Sequence, residues 1–205
     1  MEGSDEELAA QSRAGSTAAF EALVRRYQPR LLRFLEKQVG NREDARDITQ
    51  RSFLQAYAGL ARFKPGRPFA PWLFHIARCE GIDFLRHIRA RRCLHERFGE
   101  ESVHQSDSNP AARLDEEERV GERWRWIRTR LDARSFEILW LHIQEEMEIR
   151  DIASVVGLTG GHVKVLLFRS RSSLRRHFDS ENPALFTELT RLPDSPIRQP
   201  DILQP

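Results

Sequence analysis

The side chains that could carry out chemistry in this chain are few and scattered. His75, Cys79, Cys93 and His95 include one pair a single helical turn apart, a spacing that can place two ligands on one zinc ion. Their spacing matches no common zinc finger, and cysteine often serves as a small buried apolar residue. The sequence also has no phosphate-binding glycine loop and no nucleophile elbow. We therefore predict no metal site, no cofactor and no catalytic residue, and we favour a binding protein over an enzyme.

Basic residues, in contrast, are concentrated in two blocks. Nine Lys or Arg stand against three Asp or Glu between Arg62 and Arg97, and five stand against none between Lys164 and His177. The stretch between them, from Glu100 to Glu118, has seven acidic residues and one Arg. The formal net charge of +2 hides this pattern. Two basic surfaces with an acidic connector suit contact with a polyanion, although each block alone could be a solvated helix face.

The second basic block continues from a segment that has the pattern of a helix-turn-helix. Two helices that cross closely need a small residue where they touch, and the turn between them needs a residue tolerant of positive φ. Ala153 and Gly157 meet these needs, and Thr159 can cap the second helix. Apolar residues are spaced to fill the wedge: Ile152, Val156, Leu158, Val163 and Leu166 or Leu167. The pattern predicts a helix that enters the major groove of DNA; a helical hairpin with a basic surface is the alternative.

Helical periodicity predominates along the rest of the chain, so we expect an all-α protein with two small helical domains joined by a flexible linker. A first helix is capped by Ser16 or Thr17 and ends at Gly40, with a kink expected near Pro29. The expected divisions are an acidic segment at 1–15, an N-terminal domain at 16–97, a linker at 98–115, a C-terminal helix-turn-helix domain at 116–178 and a Pro-rich tail at 179–205.

Nothing in the sequence indicates export or membrane insertion. No run of about 18 apolar residues is present, and the acidic stretch Met1 to Leu8 lacks the layout of a signal peptide. Two cysteines are too few for a disulfide framework. We expect a cytoplasmic protein.

Four segments, in order, carry a resemblance to a known family. They are Phe20 to Tyr27 (FEALVRRY), Asp44 to Tyr57 (DARDITQRSFLQAY), Phe69 to Arg86 (FAPWLFHIAR and, four residues on, IDFLR), and the helix-turn-helix extended to Arg175. Together they resemble a bacterial RNA polymerase sigma factor of the extracytoplasmic-function group. The resemblance implies a protein that binds core RNA polymerase, recognises two promoter elements and begins DNA melting, without being an enzyme.

The resemblance also implies residue roles. The helix that docks on the clamp of the polymerase largest subunit would present Asp44, Asp47, Gln50 and Arg51. The minus-ten element would be bound by an aromatic and basic set: Phe63, Lys64, Arg67, Phe69, Trp72, Arg78, Arg86, Arg89 and Arg92. The minus-thirty-five element would be bound by Thr159, Gly161, His162, Lys164, Val165, Phe168, Arg169 and Arg171.

The chain departs from the family pattern at several positions. Arg51 stands where a Glu is common, Cys79 where an Asn is common, and Val165-Leu166 where a Ser-Arg pair is common. These changes bear on docking strength and promoter sequence. Expected partners are core polymerase and promoter DNA, and an anti-sigma factor is a further candidate. The rival interpretation is a stand-alone helix-turn-helix regulator whose N-terminal helices dimerise or sense a ligand.

Overall fold

The computed structural model describes residues 3–64, 66–98 and 116–178, and within these ranges every regular element is a helix. The predicted linker after Phe98 and the Pro-rich tail lie outside the described residues. A short 3-10 turn, Leu60–Arg62, separates the third helix from the fourth. The α-helices are α1 (Asp5–Arg13), α2 (Thr17–Val39), α3 (Arg42–Gly59), α4 (Phe69–Phe98), α5 (Glu116–Arg128), α6 (Ala133–Ile143), α7 (Ile149–Val156) and α8 (Gly160–Phe178).

Helix α1 lies in the segment interpreted only as acidic. A capping box starts it, in which Ser4 Oγ accepts from the Glu7 amide and Glu7 Oε2 accepts from the Ser4 amide. Such reciprocal capping satisfies amides that the first helical turn leaves unpaired. Leu8 and Ala9 are buried, and Asp5 accepts hydrogen bonds from Arg26 and Tyr27 of α2. These contacts attach α1 to the N-terminal domain.

Helices α2, α3 and α4 pack together as the body of the N-terminal domain. Helix α2 begins after the Ser16 cap and ends at Gly40, whose φ of 83° needs glycine, and it runs through Pro29 without a break. Asn41 caps α3 by accepting from two amides of its first turn. The inner stripe of α3 consists of buried residues: Ala45, Ile48, Ser52, Phe53 and Ala56.

Helices α5 to α8 form the C-terminal domain. Trp124, Phe136 and Trp140 make an aromatic cluster in its core, with ring centroids 4.6 to 6.2 Å apart. Asp132 caps α6 by accepting from the amides of Arg134 and Ser135. The cap fixes the start of α6, the helix that carries charged side chains toward the N-terminal domain.

Candidate nucleic-acid and partner interfaces

The helix-turn-helix has the geometry that its sequence predicts. The chain bends by 100° between α7 and α8, and Gly157 makes the turn with a φ of 69°. Ala153 is buried, and its carbonyl accepts from the amides of Gly157 and Leu158. The predicted wedge residues Ile152, Val156, Val163 and Leu167 are buried, whereas Leu158 and Leu166 are only partly buried.

Helix α8 presents a cationic outer face. Thr159 caps its first turn, with its hydroxyl accepting from the His162 amide at 3.3 Å. Between Gly160 and Phe178 the sequence contains no Asp or Glu. The buried residues Val163, Leu167, Ser170 and Leu174 attach the helix to its domain, and Arg171 is half-buried. The exposed residues of the outer face are Gly161, His162, Lys164, Val165, Phe168, Arg169, Arg175 and Arg176.

The aromatic residues of the predicted minus-ten surface divide into core and surface. Phe63 and Phe69 are buried, with Phe69 fully enclosed beside Tyr27. Trp72 is partly buried and packs on both rings. Its ring centroid lies 4.9 Å from that of Phe63 and 5.6 Å from that of Phe69. In this arrangement Phe63 and Phe69 offer no free ring face to a base. Their physical role is to hold the loop between α3 and α4 against the domain core.

The basic residues of the same surface are more accessible. Lys64 and Arg67 of the loop are exposed, as are Arg86 and Arg89 on α4. Arg86 forms a solvent-exposed ion pair with Asp83 at 3.0 Å, a kind of pair that contributes little to stability. The side chain of Arg92 lies outside the described residues.

Arg78 is the member of this set that the structure places elsewhere. Its Nε lies 2.8 Å from Oε1 of Glu137 on α6, and the two side chains are only 12% and 10% exposed. Burial raises the pKa of Glu137, while the Arg78 guanidinium opposes that rise. The side chain predicted to follow promoter DNA is therefore paired with a carboxylate of the other domain.

Further polar contacts join the domains, including a hydrogen bond from Arg128 Nη2 on α5 to the Gln38 carbonyl oxygen on α2 at 3.4 Å. Arg30 Nε on α2 donates to Oε2 of Glu145 at 2.7 Å, and the Glu145 side chain is 2% exposed. Burial raises the pKa of Glu145, against the effect of Arg30. His75 Nδ1 lies 3.0 Å from the carbonyl oxygen of Val155 on α7. Sequence reasoning missed all of these contacts, because partners 80 and 115 residues apart leave no local pattern.

A groove of about 700 Å³ lies between α2 and α3, and we call it the α2/α3 groove. Phe20 and Phe53 line it, and Phe20 packs edge-on against Tyr57 with ring centroids 4.9 Å apart. Leu54 and Tyr57 line it while being 64% and 48% exposed. Gln50, one of the predicted docking residues, lines the same groove. Sequence reasoning named the polar residues here but missed the apolar ones, although Leu54 and Tyr57 stand outside the buried stripe of α3.

The other predicted docking residues lie on the same helix. Asp47 and Arg51 are exposed, and Asp44 is half-buried in the first turn of α3. The structure thus places all four predicted docking residues on α3, with Gln50 at the groove itself.

Two other sequence interpretations concern ligands and membranes. Across residues 3–64, 66–98 and 116–178, no group of three His, Cys, Asp or Glu could hold a metal ion. Cys79 Sγ lies 3.8 Å from His75 Nε2, and burial raises the pKa of this thiol. Within the described residues, no single helix is long and apolar enough to span a membrane.

These features define a two-domain, all-helical protein of the helix-turn-helix class, as the sequence predicted. Residues 23–92 match the family described as Sigma-70 region 2. Over 189 residues the chain is 30% identical to the RNA polymerase sigma factor CnrH of Cupriavidus metallidurans, an alignment covering 88% of this chain and 97% of CnrH. The chain belongs to the RNA polymerase sigma factors, in the extracytoplasmic-function group.

Solved structures agree with this assignment. The structure of CnrH in complex with the cytosolic domain of CnrY superposes with a TM-score of 0.62 at 28% identity, covering 86% of this chain and 98% of CnrH. The sigma factor RpoE of Bartonella quintana, solved with the anti-sigma factor NepR, has a TM-score of 0.58 at 22% identity, covering 79% and 98%, and supports the fold alone. As a sigma factor, the chain is a regulatory transcription initiation factor that acts with RNA polymerase.

Proposed function

We propose that this sigma factor docks on the clamp of the polymerase largest subunit through α3 and recognises two promoter elements, one with each domain. It begins DNA melting at the downstream, minus-ten element. The observation that carries the proposal is the outer face of α8, which is cationic, without acidic residues and set by a helix-turn-helix bend of 100°.

The α2/α3 groove supports the docking role. An exposed apolar surface edged by polar residues is typical of a protein interaction site. Leu54 and Tyr57 supply apolar area, while Asp47, Gln50 and Arg51 supply polar groups on the same helix. A partner helix that fills the groove would cover Leu54 and meet this polar row.

The outer face of α8 supports recognition of the upstream, minus-thirty-five element. In a helix-turn-helix the recognition helix lies in the major groove, where its N-terminal residues contact bases. His162 and Lys164 occupy that part of α8, and Arg169 lies further along the exposed face. Lys and Arg side chains neutralise phosphates, which supplies affinity and makes binding depend on salt.

The loop between α3 and α4 supports recognition and melting of the minus-ten element. Lys64 and Arg67 are exposed beside the partly buried Trp72, and Arg86 and Arg89 continue the basic surface along α4. A base stacked on an aromatic ring gains about 1–3 kcal/mol, which offsets the cost of unstacking it from the duplex. Trp72 is the aromatic member of the set with ring surface to offer, and Phe63 and Phe69 support it from the core.

The Arg78–Glu137 pair adds a structural requirement. Arg78 can contact promoter DNA only when its ion pair with Glu137 is broken. This contact therefore requires that α4 separates from α6. The Arg30–Glu145 pair would open in the same motion. The proposal therefore includes two arrangements of the domains, with the described one favouring the pairs within the chain.

A protein partner and a location complete the proposal. CnrH is solved in complex with the cytosolic domain of CnrY, and an anti-sigma factor is a candidate partner of this chain as well. The chain would act in the cytoplasm, where RNA polymerase transcribes DNA.

Binding to core polymerase tests the docking role. Leu54→Ser removes apolar area at the groove, and Asp47→Ala removes a charge from the same helix. We expect each variant to bind core polymerase at least about tenfold more weakly, equivalent to about 1.4 kcal/mol, in a titration without DNA. Leu94→Ser is the matched control, because Leu94 is also an exposed leucine but lies at the far end of α4. Wild-type affinity in the Leu54 and Asp47 variants would contradict the docking role.

Binding to the upstream element tests the role of α8. Arg169→Ala should weaken binding to a minus-thirty-five duplex and leave polymerase binding unchanged, since Arg169 is exposed on α8 only. Loss of polymerase binding with intact DNA binding would contradict this role.

A further inference from the structure

Two apolar side chains are exposed on the outer face of α8. Phe168 is 59% exposed and Val165 is 42% exposed. In the part of the chain that the structure describes, the other large apolar residues with comparable exposure lie at the α2/α3 groove or on α4: Leu54, Tyr57, Ile88 and Leu94. Val165 and Phe168 therefore form a separate apolar pair, located on the proposed recognition helix.

The pair lies outside the buried residues that attach α8 to its domain. Val163, Leu167 and Leu174 attach α8 to the domain core and are buried. Val165 and Phe168 are three residues apart, so they are neighbours on one helix face, and that face points away from the core. A partner that covers exposed apolar groups lowers the free energy of the system, because it removes their surface from water.

The charges around the pair restrict the chemistry of that partner. Lys164 and Arg169 flank it, His162 lies one turn before it, and α8 contains no acidic residue. The partner must be anionic overall and must also present an apolar group. The major groove of DNA meets both conditions at thymine, whose 5-methyl group distinguishes it from the other bases at the groove surface.

The start of α8 permits the close approach that such contact needs. A Cβ on Gly161 would meet no described atom within 4 Å, so the first turn is open toward a ligand. Val165 follows Gly161 by one turn on the exposed side. We propose that Val165 and Phe168 read thymine in the upstream promoter element through its 5-methyl group. This inference rests on the proposed DNA-reading role of α8.

The test uses the full chain with core polymerase and a library of random DNA duplexes. The enriched upstream sequence is first determined, and each of its thymines is then replaced singly by deoxyuridine, which lacks only the 5-methyl group. We expect the replacement at one or two positions to weaken binding of the wild-type protein about fivefold or more. The other replacements should have little effect.

Variants connect the effect to the two side chains. Val165→Ala and Phe168→Ala should each weaken binding to the thymine duplex and should each lose the sensitivity to deoxyuridine at one position. Both residues are exposed, so the fold is expected to survive, and circular dichroism checks this. Arg169→Ala is the control, because Arg169 lies further along the exposed face and loss of a phosphate contact there should weaken binding to thymine and uracil duplexes equally.

Three results would overturn the inference. Enrichment of a specific sequence that is insensitive to every deoxyuridine replacement would overturn thymine reading while leaving the proposed function intact. Unchanged DNA binding by both variants, together with lost binding to an acidic helical protein, would assign the pair to a protein partner. Failure to enrich any upstream sequence would overturn the proposed function of α8 together with the inference.

Discussion

Two faces of the C-terminal domain depart in opposite ways from the usual arrangement, in which apolar side chains are buried and charged side chains are exposed. Toward the N-terminal domain it buries charge, because Glu137 and Glu145 are nearly enclosed and each meets an arginine. On the outer face of α8 it exposes apolar groups, Val165 and Phe168, among cations. A buried carboxylate without a partner is costly, and an apolar patch in water marks a surface to be covered. The first face has its partner within the chain, and the second, as proposed, has one outside it.

The chemistry of the first face suits a contact that can open. The attraction within a buried ion pair is largely offset by the cost of taking both charges out of water, so such a pair contributes specificity more than strength. Once separated, Arg78 and Glu137 would each recover water. An apolar interface of the same size would resist opening more strongly. This difference is what allows the same arginine to serve the packed domains and, as proposed, promoter DNA.

The largest effect is expected from breaking one buried pair. Arg78→Ala leaves the Glu137 carboxylate enclosed without its partner, and the loss of one partner from a buried pair costs about 3 kcal/mol or more. We expect either a loss of unfolding free energy of this size in urea or separation of the two domains. Fluorescence energy transfer between labels on α3 and α8 distinguishes these results.

Arg86→Ala is the matched control for that experiment. Arg86 is on the same helix and also pairs with an acid, but its pair is exposed, so its loss should change stability by less than about 0.5 kcal/mol. Wild-type stability and wild-type energy transfer in the Arg78 variant would show that the buried pair does not hold the domains.

A medium effect on stability and DNA binding is expected at the turn between α7 and α8, which orients the outer face of α8. Gly157 has a φ of 69°, a conformation that costs an L-residue about 1–2 kcal/mol. Gly157→Ala should lower the unfolding free energy by about 1 kcal/mol and weaken DNA binding. Gly160→Ala is the control, since its added Cβ would meet only Ile149 at an ordinary 3.7 Å. Equal stability of the two variants would contradict the assigned role of the turn.

The smallest effect is that of pH on the packing of the two domains. Burial raises the pKa of both Glu137 and Glu145 in the packed arrangement. A raised pKa means that the packed state binds protons more readily than the open one, so this contribution to packing is present at low pH and is lost as pH rises through the raised values. Going from about pH 7 to about pH 5 should therefore favour packing of the domains.

Substitution isolates this pH effect from that of other titrating groups, including His142, whose pKa burial lowers. Arg78 and Arg134 act on Glu137, and Arg30 and Arg33 act on Glu145. The double variant Glu137→Gln, Glu145→Gln should show a smaller gain in packing on acidification than wild type, measured by the same energy transfer. Glu148→Gln, at an exposed acid, should behave as wild type. An identical pH dependence in all three proteins would contradict the account.

The difference between the two faces also determined what the sequence could predict. The helix-turn-helix, which sets the outer face of α8, depends on residues that are neighbours in sequence. The spacing of Ala153, Gly157 and Val163 is therefore sufficient to predict it. The capping box of α1 was equally local, at Ser4 and Glu7, yet the acidic composition of the segment obscured it. The interface between the two domains joins residues that are far apart in the chain, such as Arg30 and Glu145. Such contacts depend on how domains pack, and no periodicity encodes them.

The site residues followed the same division. Lys164, Val165, Phe168 and Arg169 share an exposed face because helical spacing requires it, and the structure agrees. Phe63 and Phe69 fit a predicted minus-ten surface by type alone, because aromatic residues suit both base stacking and protein cores, and composition does not separate the two roles. Only packing reveals that their rings are buried.

The central claim is that this chain directs RNA polymerase to promoters with two recognised elements. Transcription in vitro from fragmented genomic DNA, with core polymerase alone and with the protein added, tests it most directly when the RNA starts are sequenced. The account predicts new discrete starts that share two upstream motifs, with weaker use of those starts by the Arg169→Ala variant. No new starts, despite demonstrated binding of the protein to DNA, would contradict it and favour a stand-alone regulator.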